Sequence, residues 1–502
     1  MSFSGEAGLL WCKLQVFEME ASQKSPRIYS SFNSGALHSH FYKHAYRAGF
    51  FVFLALLVHA AVYFKERTVI PDAAIYLFTM VRSHDFAIVH NRYIAVIPEL
   101  LPWLAIKAGL SLSGIALLYS LSYCAFYFCC YLCCGWMFKN KPLALVLLLY
   151  LILFGTHTHY WAISEQSLGM GLVCVSLAAS LHAYSNKWLA IIGRLLAAVC
   201  LVFVAFAHPL LIFAVLFALL FLWKEQTKNR KLLLAWIGFY FIAVAYKFIF
   251  YSVPYEANSM LGINNFISLF PDYYNLFSSQ RFLQNCVGKY WAIPLSFVAI
   301  IITYAYKKQW YRLIIFLSFF LFFLLLVNVS FPDSYVQELY IENLYLNLGW
   351  FIALPLVYDV FPFLPIRRVA FPAFSLLVLL CLFRIWEMHH FYTGRVNWER
   401  RMVKKSEGQK WILESGKLPQ DTMIFNWCIP YEIWLLSTME QRRTASIVVH
   451  ESPGLMPGEA SDDPRFFMCT TEKFEYHNLS PQYFPFKDTT SVYQHFWEKV
   501  EF

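Results

Sequence analysis

The chain has 502 residues, 59% of them hydrophobic and 14% charged, with a net charge of +9. Its apolar residues come in long blocks rather than at amphipathic spacing, which excludes a soluble globular fold and indicates a multi-pass membrane protein. The cations cluster between those blocks, where membrane topology accounts for them, so the charge implies no nucleic-acid partner.

Residues 1–47 are polar, include Glu6, Glu18 and Glu20, and lack the short apolar core of a secretory signal. They read as a cytoplasmic N-terminal segment, with Ala48–Phe64 as an uncleaved signal anchor. Further spans are expected near Ser113–Met137, Pro142–Gly155, Gln166–Tyr184, Trp188–Ala207, Pro209–Leu222, Leu232–Ser252, Trp291–Tyr306, Tyr311–Val329, Leu346–Phe363 and Ala370–Trp386. One set of connections holds Lys139 and Lys141; Lys187 and Arg194; Lys224, Lys228, Arg230 and Lys231; Lys307, Lys308 and Arg312; and Arg367 and Arg368. Beyond the first loop, the alternate set holds only Arg281 and Lys289. The positive-inside rule then puts the first loop, residues 65–112, and the C-terminus outside an inner or plasma membrane, with about eleven spans in a transmembrane domain over residues 48–386.

The first outer loop concentrates polar groups. Its stretch Val69–Gly109 carries Asp72, Arg82, His84, Asp85, His90, Arg92, Glu99 and Lys107 among apolar residues, and polar groups held at a membrane surface point to chemistry. Asp72 follows Pro71 and opens a short helix, Ala73–Met80, because proline then an acid suits a helix start. Tyr93–Ala108, interrupted by Pro98 and Pro102, is expected to lie along the interface rather than cross.

A second outward connection, Thr156–Gly171, sets His157, His159, Trp161 and Glu165 at helix ends on the same side as Asp72. Alone, it also fits an aromatic belt with a glutamate at a helix N-terminus. Two acids on two loops of one face can instead converge on one cavity. His208 before Pro209 reads as a turn residue, and for Lys247, near the outer end of its span, snorkelling explains its place at least as well as phosphate binding.

Cys124, Cys129, Cys130, Cys133 and Cys134 fall in one span with no histidine or carboxylate beside them, and read as small apolar packing residues. Cys428 and Cys469 are expected outside, where a disulfide is an open alternative. Residues 387–502 turn charged and mixed, fitting a small outward-facing α/β domain. It is expected to hold a helix over Asn397–Ser415, an apolar run Thr422–Phe425, a helix Glu432–Thr438, a strand Ala445–Val449 and a loop-rich tail from Glu459.

Several residues resemble a known pattern. Asp72 just after the first span, Tyr76 four residues later, Asp85 before Phe86, and Asn91 and Arg92 leading into an interfacial helix resemble the first outer loop of GT-C glycosyltransferases. The resemblance is strongest to the protein mannosyltransferase and aminoarabinose transferase branch, which takes a sugar from a polyprenyl phosphate. Glu165, within Ile163–Ser167, matches the acid in the loop after the third span of that family. Ala73 stands where the family commonly has a second acid, and the prolines usual after the basic residue are missing after Arg92.

That resemblance implies a membrane-bound hexosyl- or pentosyltransferase. It would move a sugar from a polyprenyl-phosphate donor to a lipid, glycan or protein acceptor of the cell envelope, on the outer face of the membrane. A carboxylate is then needed to activate the acceptor hydroxyl, a role that falls to Asp72. Arg92 and Arg82 would meet the phosphate, which needs cations rather than a proton. Glu165 and Asp85 would orient the acceptor or position a cation, with Tyr76, His157 and His159 as further substrate contacts. An acid pair can hold Mg²⁺ or Mn²⁺, yet a phosphate leaving group does not demand it, and metal use stays open. A polysaccharide polymerase is the nearest alternative, but its main outer loops would lie mid-chain, where Val253–Tyr290 has no histidine. A glycan or lipid transporter would be expected to show internal repeats or ionisable residues at the midplane of several spans.

Overall fold

The computed structural model describes residues 34–70, 72–223, 229–251, 264–333, 338–364, 369–419, 426–450, 463–469 and 472–496. Glu6, Glu18, Glu20, Pro71, Lys224, Lys228, Arg367, Arg368 and the run Thr422–Phe425 lie outside the described residues.

Helices dominate. In chain order they are α1 (Ser34–Val62), α2 (Phe64–Thr68), α3 (Asp72–Ser83), α4 (Val96–Lys107), α5 (Leu112–Leu132), α6 (Lys141–Leu153), α7 (His157–Tyr160), α8 (Glu165–Leu181), α9 (Lys187–Ala207), α10 (Leu211–Trp223) and α11 (Arg230–Phe250). There follow α12 (Asn265–Ser268), α13 (Phe277–Val287), α14 (Ala292–Tyr306), α15 (Trp310–Ser330), α16 (Glu338–Pro355), α17 (Phe371–Glu387) and α18 (His389–Ser406). Among the described residues, seven helical stretches are long and apolar enough to cross a membrane, and α13 with α14 would make an eighth if taken as one span bent by 86°. Three more apolar helices, α6, α8 and α10, are shorter. The protein is thus a helical membrane protein with a small sheet region.

Short helices are tolerated because neighbouring helices, not lipid, surround them. Thirteen residues of α6 rise only about 20 Å, less than the hydrocarbon thickness, yet Leu143 to Tyr150 are without exception buried. By contrast α9 and α11 expose Ile192, Leu195, Ile242 and Ile249, the faces a lipid environment would cover. Side-chain caps set several starts: Ser111 accepts from Gly114 N–H, Asn140 from Leu143 N–H, Ser164 from Ser167 N–H and Asn186 from Trp188 N–H, each satisfying an otherwise orphaned helix donor.

The C-terminal sheet is built on β1 (Lys410–Glu414), flanked in parallel by β2 (Ser446–His450) and β5 (Gln494–Phe496), while β3 (Phe466–Cys469) and β4 (Glu472–Glu475) form an antiparallel pair. A helix, α19 (Ile429–Gln441), precedes β2. The expected helix Asn397–Ser415 is therefore divided. It ends where Glu407 and Gly408 take φ of 49° and 91°, the left-handed stop typical of a helix C-terminus, and its second half is a buried strand. The tail after Glu459 also holds three short strands rather than loops alone.

Phe78 of α3 ties this unit to the first loop. Its ring centroid lies 5.1 Å from both Tyr431 and Trp434, 5.2 Å from Phe474 and 5.4 Å from Phe484. Beside this cage, Arg395 donates to both oxygens of Glu432 at 2.7 and 2.8 Å, and Glu399 sits 3.5 Å from the same guanidinium. Cys428 Sγ donates to Glu432 Oε1 at 3.0 Å.

Candidate functional site

Asp72 begins α3, and Tyr76 stands one turn later on the same face, since residues four apart are helical neighbours. The chain leaves α3 through a loop in which His84, His90 and Asn91 have φ of 56°, 54° and 58°. Left-handed backbone costs a non-glycine residue about 1–2 kcal/mol, and two such residues in succession turn the chain immediately before Arg92. Strain of this kind tends to be kept where a side chain must be aimed.

Arg92 meets Glu165. Its Nη1 is 3.3 Å from Glu165 Oε2, with both side chains only 11% exposed, and Tyr76 Oη donates to Glu165 Oε1 at 3.5 Å. Glu165 is the first residue of α8, where the helix dipole favours an acid, and its loop is fixed by Ser164 Oγ donating to Asn343 Oδ1 at 2.6 Å. Upstream, Thr156 and Thr158 N–H donate to Glu342 Oε1 at 3.0 and 2.8 Å, and Tyr290 Oη donates to Glu342 Oε2 at 2.9 Å.

Asp72 is close enough to act electrostatically on Tyr76, Tyr119 and Cys428. Burial raises the Tyr76 phenol above its ordinary pKa, and the Glu165 and Asp72 carboxylates add to this against Arg92. Tyr76 therefore stays protonated as a donor.

Glu99, which the sequence reading did not select, completes the cluster. It is fully buried on α4, with Oε2 accepting Ala87 N–H at 2.8 Å, while Oε1 has no hydrogen-bond partner among the described residues. Burial pushes its pKa up to about 8; the Ala87 N–H opposes the shift and the charge of Glu165 adds to it. An acid between Pro98 and Pro102, in a helix whose other charged residue is Lys107 at its end, was the available signal.

Lys247, for which snorkelling and phosphate binding were both open, is a buried group. It is 1% exposed, and both its charge and that of Arg92 act on His208. Burial, then those two cations, lower the His208 pKa well below its usual value, so the ring is neutral; its Nδ1 accepts Leu210 N–H at 3.3 Å, a turn contact.

The remaining expected residues lie elsewhere. Arg82 stacks on Phe474 at 4.7 Å, toward β4. Asp85 is exposed and accepts the N–H of Phe86 at 2.8 Å, shaping its own turn. His157 is buried between Tyr392 Oη at 3.2 Å and Lys289 Nζ at 3.5 Å. His159 pairs with His59 at 3.1 Å, and burial, then Arg67 and His59, keep it neutral. Among the described residues, no group of three or more His, Cys, Asp or Glu converges to hold a metal ion.

The arrangement offers an acid at a helix start, a guanidinium and a phenol sharing one carboxylate, a buried ammonium and a third, neutral carboxyl. Such a set can accept a proton and receive an anion. The chain matches no known protein family, no curated protein and no solved structure.

Proposed function

We propose that the protein is a membrane-bound glycosyltransferase using a polyprenyl-phosphate sugar, with its site at the end of the bundle that carries Asp72. The observation that carries this reading is the meeting of Arg92 and Tyr76 at Glu165, in the loop that Asp72 opens. In this reading Asp72 takes the proton of an acceptor hydroxyl as its oxygen bonds to the anomeric carbon. The bond from that carbon to the phosphate oxygen breaks, and the polyprenyl phosphate leaves with its negative charge held by Arg92 and Lys247. Glu165 holds Arg92 in place and orients the acceptor through that acceptor's other polar groups. A resident Mg²⁺ or Mn²⁺ is not required by this scheme.

The proposed topology has eleven spans, with residues 1–47 inside and both the first loop and the unit from residue 387 outside. The short helices α6, α8 and α10 would then count as spans, as would bent α13–α14. Labelling of a Ser415→Cys variant from the outer face tests the orientation; labelling only from the cytoplasmic side would overturn it. The function is tested by mass spectrometry of lipid and glycan extracts from cells with and without the protein. Loss of one sugar modification, with accumulation of a polyprenyl-phosphate sugar, is the expected result. Unchanged extracts would sink the reading.

A further inference from the structure

The opposite end of the bundle holds a separate site. A cavity of about 520 Å³ lies between the connection from α5 to α6 and the connection from α8 to α9, lined by Phe138, Lys139, Asn140, His182, Tyr184 and Ser185, among others. Seventeen residues of α8 separate it from Glu165, about 25 Å of helix, so it is no part of the cluster around Asp72.

Its walls are fixed. His182 Nδ1 lies 3.0 Å from Phe138 O, joining the two connections, and Tyr184 Oη donates to Ala179 O at 2.9 Å. Lys139 holds φ of 53°, which turns the chain sharply between the end of the α5 region and α6. Two helices of ample length, α6 and α9, begin at this cavity, and their N-termini carry partial positive charge. Asn140 uses its amide oxygen on Leu143 N–H, so its NH₂ is the group it can offer a ligand.

The charge is of one sign. Lys139, Lys141, Lys187 and Arg194 belong to these connections and the following turns of α9, and Glu165, at the far end, is the sole acid in the sequence between Leu100 and Trp223. Beside the cavity the surface becomes apolar and aromatic: Trp136 is 79% exposed and Trp188 63%, with Leu189 and Ile192 also exposed. Exposed tryptophans beside lysines mark the level of lipid headgroups. A cationic, donor-lined hollow next to an apolar helix face suits a ligand with an anionic head and acyl chains.

We propose that this cavity binds the headgroup of an anionic phospholipid. Lys139, Asn140 and Ser185 meet its phosphate, and its acyl chains run along Trp188, Leu189 and Ile192 of α9. On the topology proposed above this is the inner leaflet, though the binding itself does not depend on the transferase reading.

The test is native mass spectrometry and thermal melting of the purified full-length protein in detergent. Phosphatidylglycerol, phosphatidylcholine and inorganic phosphate are added in separate arms. Phosphatidylglycerol should be retained and should raise the melting temperature. A Lys139→Asn/Lys141→Gln variant should retain it roughly fivefold less or worse, as expected for loss of cations at a headgroup. Asparagine at position 139 tolerates the left-handed backbone, and a Ser185→Trp variant, which fills the cavity from an exposed loop, should give the same loss if the double variant is poorly folded. Equal retention of phosphatidylcholine, or unchanged retention in both variants, would overturn the proposal. Stabilisation by inorganic phosphate alone to the same degree would overturn it in favour of a free-anion site.

Discussion

Arg92 and Glu165, 73 positions apart in the chain, lie 3.3 Å from each other through Nη1 and Oε2, and this ion pair joins the strained loop after α3 to the first turn of α8. Neither side chain can be removed without leaving the other's charge partly buried.

Arg92→Ala should therefore weaken use of a phosphate-bearing donor by about 2 kcal/mol or more, the worth of a charge-assisted contact in a partly desolvated site. Binding of a polyprenyl-phosphate sugar to purified wild type and variant measures this. Equal affinity would remove Arg92 from the phosphate site.

Asp72→Asn keeps the size and capping ability of the side chain but cannot take a proton. Turnover should fall roughly 100-fold or more while the melting temperature holds. Near-wild-type transfer at matched expression would reduce Asp72 to a helix-capping residue. Glu165→Gln should show part of its effect in acceptor KM, as expected for a positioning group.

Glu99 gives a pH dependence with a definite sign. Its pKa in the folded protein, about 8, lies above the ordinary carboxyl value of about 4.5, so the folded state binds more protons between those values. Its contribution to stability is complete below about pH 4.5 and is lost as pH rises through 8. Melting curves of wild type should thus fall between pH 5 and 9 relative to Glu99→Gln; parallel curves would show that Glu99 is ionised throughout.

Phe78→Ala should destabilise the seat of the C-terminal unit by about 3–5 kcal/mol, the usual cost of emptying a buried aromatic position. Limited proteolysis should then cut between α18 and β5 faster than in wild type. Unaltered proteolysis would mean that the aromatic cage adds little to the docking.

Arg395→Met leaves the Glu432 carboxylate buried without its cation, while burial keeps Glu399 protonated, and should cost about 3–5 kcal/mol. Adding Glu432→Leu should restore much of the loss, since removing a buried pair together is far less costly than removing one partner. Expression level and melting of the single and double variants decide it.

Much of the architecture was legible because lipid-facing helices need uninterrupted apolar sequence, and Asp72 with Glu165 stood out against it. Residues near Asp72 in sequence were harder to sort. Arg82 is ten positions along α3, about 15 Å of rise, so it emerges beside Phe474 instead of at Glu165. Glu99 was passed over and Lys247 was open to snorkelling because burial on every side depends on neighbours from other helices, which no local pattern encodes. The division of Asn397–Ser415 was hidden because Trp411, Ile412 and Leu413 are apolar enough to continue a helix. Only the left-handed turn at Glu407 and Gly408 separates the two halves.

The cage around Phe78 also bears on the order in which the molecule is made. A ribosome delivers α3 early and the rings of Tyr431, Trp434, Phe474 and Phe484 last, after nearly every apolar helix has been inserted. The loop with Asp72, joined to α8 through Arg92 and Glu165, must wait for its aromatic cover through most of synthesis, and a chain stopped after α17 would leave the Phe78 ring without it. Premature release of the nascent chain would then yield a bundle in the bilayer whose helix α3 has nothing to close against.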